Sequence, residues 1–268
     1  MRYALKKAGQ FICLSFALIF DKGLAGESNT SKDNRLVLQI TVDGLRGDLL
    51  ERYGSGFGQG GFRRLLDNGT YYANAHYQHA NTETIVGHSV LATGAQPSKN
   101  GMTGNVWYDR EKLELSYNIE DPLAPLLPTR DSIQMGDQVD PAQQLSRSKG
   151  RSPVALLVPT FTDTLAAHYA GRAKIFSVSG KDRGAVPLAG KVGKAFWFST
   201  DTGHFITSRY YYDNYPAWAS AWNNQDKAAQ YAGQLWKLSG SPEEYLLFAQ
   251  DYRPYEFDLK GYGTTFPH

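Results

Sequence analysis

Cysteine is nearly missing. Cys13 is the one cysteine among 268 residues, and it sits in the apolar stretch "FICLSFALIF" near the start. No intrachain disulfide can form, so the fold rests on its core alone. A long apolar run is missing too. That stretch, residues 11–20, is too short to span a bilayer, so no stable membrane anchor is expected. No internal repeat and no low-complexity tract occurs. Strong charge of either sign is also absent: the formal net charge is +2, which gives no argument for nucleic acid. Few basic residues interleave with the late aromatics of "SRYYYDNYPAWASAW". They read as core and cleft wall rather than as a base-stacking platform.

The apolar stretch has another use. Arg2, Lys6 and Lys7 precede it, and "GLAGES" follows with small residues at Gly23 and Ala25. This order is that of a secretory signal peptide over residues 1–25, cleaved after Ala25. Ile12 stands before Cys13 where a lipoprotein signal has a small residue, so lipidation is not expected. Residues 1–25 carry four basic groups and one acid, so their loss takes the net charge from +2 to −1. A periplasmic or secreted bacterial protein is expected. Residues 26–34 form a polar, flexible lead-in. A hydrophobic fraction of 41% then supports a globular core over 35–268.

Along that core, Leu36 to Val42 is an almost unbroken aliphatic and β-branched run, which predicts a strand buried on both faces of a parallel sheet. "GGFRRLLDNGTYYANAHY" predicts a helix, a turn at Asn68-Gly69 and a second strand. "IVGHSVLATGA" predicts a short helix. Residues 109–152 are polar and proline-rich and read as surface excursions. "FTDTLAAHYAGRAKIFSVSGKDRGAV" predicts a helix, a glycine break, a strand and a loop. "AFWFSTDTGHFITSRYY" alternates about a Thr-Gly turn and predicts a hairpin. Alternating strands and helices imply an α/β fold with a mostly parallel sheet.

Several residues could carry chemistry. Asp43 ends the first predicted strand, where ligands gather in open α/β sheets. It suits a cation, or equally a cap on the turn that follows. Thr84 opens a predicted helix, where unpaired N–H groups and the dipole attract a phosphate. A helix cap is the plain alternative, because a threonine hydroxyl is a poor nucleophile until a base or metal activates it. Thr82 lies in extended chain and lacks the helix start. His88, one turn in, fits a packing role better than a ligand role. Lys181 and Arg183, read as i and i+2 of an extended segment, point the same way and could share an anion; an exposed basic loop is the other reading. Asn105 follows two glycines and is either a turn residue or an amide donor to that anion.

In order, "VDGLRGD", "TETIVGHSVLATG", "KNGMTGNVWYD", "KDRGAV" and "AFWFSTDTGHFITSRYY" resemble the alkaline phosphatase superfamily. The resemblance is closest to the phosphate-irrepressible alkaline phosphatases with a threonine nucleophile, neighbours of the type I phosphodiesterase/nucleotide pyrophosphatases. It implies a three-layer α/β/α sandwich with a mostly parallel sheet. It also implies Thr84 as nucleophile, Asp43 and Thr84 as zinc ligands, and Asn105, Lys181 and Arg183 as phosphoryl-binding residues. Two zinc ions would serve a complete domain, clamping the attacking and leaving oxygens. The substrates implied are small-molecule phosphate esters. Three donors beside the nucleophile suit a monoester dianion, so a phosphomonoesterase is expected ahead of a phosphodiesterase/nucleotide pyrophosphatase. A sulfatase or phosphopentomutase-like relative is expected least, since sulfatases need a Cys or Ser and position 84 is Thr. The family's further zinc ligands, an Asp-His pair, an Asp-x-x-x-His motif and a late His, have no counterpart here. The expectation is therefore the N-terminal part of such a domain, weakly active or inactive by itself. A non-enzymatic anion-binding module is the competing reading.

Overall fold

The computed structural model describes residues 36–128, 141–241, 243, 245, 251–256, 258 and 261–268. The expected signal peptide and lead-in fall outside these residues. The described chain divides into two units, each taken by itself below. One comprises residues 36–71 with Tyr231–His268, and the other Tyr72–Gln230.

In the first unit the apolar run 36–42 is not a strand, which corrects the sequence reading. It makes no ladder among the described residues, and Leu36, Leu38, Ile40 and Val42 are exposed, Leu36 at 66%. A parallel strand needs neighbours on both edges and covers on both faces. Hydropathy supplies neither. The run ends in a turn in which Leu45 N–H donates to the Val42 carbonyl at 3.4 Å. Gly44 holds the turn with φ of 73°, a left-handed value that glycine adopts without strain. Two short helices follow, α1 (Leu49–Arg52) and α2 (Gly61–Asn68). The second matches the helix expected there. The strand expected over "TYYANAHY" is absent, and Tyr71, Tyr72 and Tyr77 are exposed. Far along the chain, Trp236 and His268 exchange two backbone hydrogen bonds, at 2.8 and 3.0 Å.

The second unit holds the core. Its helices are α3 (Thr84–Thr93), α4 (Pro97–Asn100), α5 (Pro141–Gln144), α6 (Phe161–His168), α7 (Asp182–Ala189) and α8 (Ala217–Asn223). Strands β1 (Val106–Asp109) and β2 (Glu114–Tyr117) form an antiparallel hairpin. Strands β3 (Phe176–Ser179), β4 (Lys194–Phe198) and β5 (Phe205–Ile206) form a sheet in that order. In it β3 and β4 are parallel, joined through α7, and β4 and β5 are antiparallel. The hairpin expected around the Thr-Gly turn is this β4–β5 pair. The architecture is α/β.

The stretch after β3 was expected as a loop, and Asp182–Ala189 instead form α7. Gly184 and Pro187 argue against a helix on propensity. Burial overrides them: Ala185, Val186 and Ala189 join Ile85 and Val86 of α3 in the core. Gly184 is what allows the fit. A Cβ there would lie 2.4 Å from Ser179 Oγ. Asp163 fixes the far end of α7. It closes a capping box with Thr160 at the start of α6. Its Oδ1 also accepts from the backbone N–H groups of Lys191 at 2.7 Å and Val192 at 3.1 Å, just past α7. The described parts of 109–152, residues 109–128 and 141–152, are also less superficial than expected: Tyr117, Asn118, Ile119, Leu127 and Arg151 are buried.

Candidate active site

Helix α3 begins with an exchange of backbone and side-chain bonds. Glu83 stands just before the helix, and its side chain accepts from the Asn105 backbone N–H. Asn105 returns the favour: its Oδ1 accepts from the Ile85 N–H at 3.2 Å. One of the donors that a helix start leaves open is thus satisfied by a residue from the loop before β1. The other end of the Asn105 side chain is the Nδ2 amide, a pure donor. Asn81 secures the same loop by donating to the Thr103 carbonyl at 2.8 Å.

Thr84 occupies the first helical position and is half-buried. It is not the helix cap, which is Glu83. Its carbonyl accepts from His88 Nδ1–H at 2.8 Å. His88 is buried against α7, with Nε2 3.7 Å from where a Cβ on Gly184 would stand. The packing role expected of His88 fits this placement.

Lys181 and Arg183 are not side by side on extended chain, as the sequence suggested. Lys181 is the extended residue before α7 and is exposed, whereas Arg183 is inside the first turn and only 3% exposed. The residue between them organises the site. Asp182 is 1% exposed and its carboxylate accepts four hydrogen bonds. Tyr117 Oη donates to Oδ1 at 2.7 Å and Gln143 Nε2 donates to Oδ1 at 2.8 Å. The Arg183 N–H reaches Oδ1 at 2.8 Å, and Arg151 Nε pairs with Oδ2 at 2.6 Å. Arg151 is itself 5% exposed and lies over the Tyr117 ring at 4.8 Å. A buried ion pair is tolerated only when its remaining lone pairs and protons are met, as they are here. Arg183 Nη1 donates in turn to Tyr117 Oη at 3.4 Å. Burial, and then the Asp182 charge, push the Tyr117 hydroxyl well above its ordinary value. It stays a donor to Asp182 across the whole neutral range.

These links bring three of the candidate segments together. Asn105 bonds the first turn of α3. Val106, next to it, pairs with Tyr117 across the hairpin, and Tyr117 reaches Asp182 and Arg183 on α7. Helix α7 packs on α3. Sequence reasoning missed Asp182, Tyr117 and Arg151. The signal for Asp182 was an acid at a helix start. Tyr117 and Arg151 offered none, since their partners are 65 and 31 positions away.

Asp43 lies in the other unit, exposed in its turn. Among the described residues, no three His, Cys, Asp or Glu side chains gather as a metal-holding group. Asp43 and Thr84 are two donors, and protein zinc sites use three or four. The described residues therefore do not fit a zinc ion by themselves. No helix among the described residues is long and apolar enough to cross a membrane.

A family model described as type I phosphodiesterase / nucleotide pyrophosphatase matches residues 37–238. The chain belongs to that family. Among family relatives, alkaline phosphatase PhoV of Synechococcus elongatus is 32% identical over 97% of the chain and 47% of its own length. Alkaline phosphatase PafA of Elizabethkingia meningoseptica is 34% identical over 91% of the chain and 42% of its own. The crystal structure of wild-type PafA superposes with a TM-score of 0.73 at 33% identity, covering 84% of this chain and 41% of that one. A PafA variant altered at a threonine, an asparagine, a lysine and an arginine gives 0.74 at 32% identity, with the same coverage. The alkaline-phosphatase-like α/β fold follows from these superpositions. The chain spans about half the length, or less, of the curated relatives it matches.

Proposed function

We propose that residues 35–268 are the phosphoryl-gripping part of an alkaline-phosphatase-type hydrolase, with Thr84 as nucleophile and Asn105, Lys181 and Arg183 as donors to the phosphoryl oxygens. The observation that carries this reading is the linkage of Asn105, the α3 start and the α7 start through Tyr117. A buried arginine tied into a network at a helix start is a candidate anion-binding group. The altered residues named for the PafA variant support it as well. Its threonine and asparagine stand 21 positions apart and its lysine and arginine two, as do Thr84 and Asn105, and Lys181 and Arg183, here.

The substrate proposed is a small phosphate monoester. Thr84 Oγ attacks phosphorus and loses its proton to solvent. The bond from phosphorus to the alcohol oxygen breaks, and the alcohol leaves after taking a proton. Water then cleaves the phosphothreonine and releases phosphate. Asn105 Nδ2 and the two cations hold the non-bridging oxygens through both displacements. Three donors match a dianion with three free oxygens, so a monoester is favoured over a diester. A metal would supply the lowered hydroxyl pKa that threonine lacks, but Asp43 and Thr84 are too few donors to fit zinc by themselves. With two donors from this chain, zinc binding is weak and turnover by these residues alone is negligible. A signal peptide over 1–25 directs the product to the periplasm or medium.

The experiment is hydrolysis of an aryl phosphate and of its diester, with and without zinc, by this chain and by Thr84→Ala. Negligible turnover is expected, with any residual activity zinc-dependent, monoester-selective and lost in Thr84→Ala. Turnover comparable to intact phosphatases, or a clear diester preference, contradicts the proposal. The proposed donors to the anion, Asn105, Lys181 and Arg183, all lie in the Tyr72–Gln230 unit, and this favours a second reading of the chain as a metal-free anion binder. It predicts phosphate binding unchanged by a chelator and by Thr84→Ala.

A further inference from the structure

We infer that Tyr117 is a positioning residue for Arg183: its hydroxyl, oriented by Asp182, holds the guanidinium in place for the phosphoryl group. The inference rests on the reading of Arg183 as an anion donor. A tyrosine hydroxyl has one hydrogen to give. Here that hydrogen goes to Asp182 Oδ1 at 2.7 Å, so the oxygen's lone pairs are left as acceptors, and Arg183 Nη1 meets one at 3.4 Å. Asp182 decides the direction of the whole chain of bonds, because a carboxylate only accepts. It cannot swing away. Arg151 holds its Oδ2, Gln143 shares its Oδ1, and Arg151 is itself tied to the Ser148 and Gly150 carbonyls at 2.6 and 2.8 Å. The Tyr117 ring is fixed as well, by its place in β2 opposite Val106 and by the Arg151 guanidinium over its face. Arg151 is thus committed to Asp182 and to backbone carbonyls, while Arg183 Nη1 meets the tyrosine oxygen.

Arrangement through a hydroxyl also has a function. The five N–H groups of arginine point in one plane, and a bidentate grip on two phosphoryl oxygens needs that plane held. Tyr117 takes one edge at Nη1 and sets the plane, so less rotamer freedom is lost when the anion binds.

The test titrates inorganic phosphate into the full chain by calorimetry, for the unsubstituted protein, Arg183→Ala, Tyr117→Phe and the double variant, with thermal melting alongside. Arg183→Ala is expected to weaken binding at least about tenfold, the scale of a lost charge-assisted hydrogen bond. Tyr117→Phe keeps the ring and should weaken binding about threefold to tenfold. In the Arg183→Ala background, Tyr117→Phe should change binding no further, which a merely structural role would not predict. Phosphate affinity unchanged in Tyr117→Phe, or an equal loss in both backgrounds, overturns the inference. Absence of phosphate binding by the unsubstituted chain, or binding unaffected by Arg183→Ala, instead removes the reading of Arg183 and the inference with it. Should Tyr117→Phe not fold, guanidinium NMR of the unsubstituted protein decides. Resolved Nη signals for Arg183 before phosphate is added support a held plane, and one averaged signal overturns it.

Discussion

Residues 36–42 and Lys181–Ala189 have opposite surroundings. The first segment is aliphatic, extended and exposed, with no ladder among the described residues. The second begins Lys-Asp-Arg, carries a glycine and a proline, and is buried from Asp182 to Pro187. Burial therefore follows partners rather than hydropathy. Asp182 is buried because four donors converge on it, and Ala185 and Val186 are buried because Gly184 lets α7 close on Ser179 and on α3. Among the described residues the aliphatic run has no such partner, and its apolar surface does not by itself make a core. The contrast can be attacked from either side.

The largest effect should come from Arg151. Arg151→Ala leaves the Asp182 carboxylate buried without its counter-charge, which costs about 3–5 kcal/mol. Urea unfolding followed by far-UV dichroism would show the midpoint fall. Replacing both partners by apolar residues of similar size, Arg151→Met with Asp182→Leu, should recover only part of that loss, because Tyr117, Gln143 and the Arg183 N–H lose their acceptor. A single Arg151→Ala within about 1 kcal/mol of the parent would mean that the pair is open to water, and the contrast would collapse.

Asp163 comes next. It is half of the capping box of α6 and also receives two N–H groups beyond α7. Asp163→Ala is expected to cost about 2 kcal/mol, a cap plus backbone donors left unmet. Hydrogen exchange should place the loss at Lys191 and Val192 as well as at the start of α6. Exchange unchanged at those two amides would show that α7 does not depend on this anchor.

What was legible in the sequence was local. The helix over Thr84–Thr93, the helix over Gly61–Asn68 and the β4–β5 hairpin are each declared by capping, periodicity or turn residues within a few positions. The order of motifs further placed Thr84, Asn105, Lys181 and Arg183 in one family pattern. What could not be read depends on distant pairings. Nothing near Tyr117 announces a bond to position 182. Nothing near Pro187 announces that a proline-bearing helix will be held by α3. The run at 36–42 failed for the converse reason: its local signal was strong, and the partners that a buried strand needs are not among the described residues.

A smaller effect tests the buried tyrosines of the core unit. Burial raises Tyr117 and Tyr211 well above the ordinary phenol value, and pushes Tyr215 up to about 12, opposed slightly by the Thr207 backbone. Each group is raised in the folded state. Its contribution is complete below the unfolded value near pH 10 and is lost as pH rises through the folded value. Stability should therefore be flat between neutral pH and about 10 and then fall. Urea midpoints measured from pH 8 to 12 check this, and Tyr215→Phe should flatten the alkaline limb. Tyr211 adds a contrast with Tyr117. It is buried, yet among the described residues its hydroxyl has no hydrogen-bond partner, so Tyr211→Phe should leave stability unchanged or raise it by up to about 1 kcal/mol.

The smallest expected change is the most pointed. Leu38 is 43% exposed in the aliphatic run, so Leu38→Asn removes only part of a side chain's burial and should alter stability by less than about 1 kcal/mol. A core leucine cut back in this way typically costs about 2–5 kcal/mol. The two outcomes are far enough apart for one urea titration to separate them. A loss on the core scale would mean that residues 36–42 are covered in solution, and that hydropathy had read this segment correctly. A null result, set against the expected collapse of Arg151→Ala, would make the polar turn at α7 and not the apolar run the segment on which the fold depends.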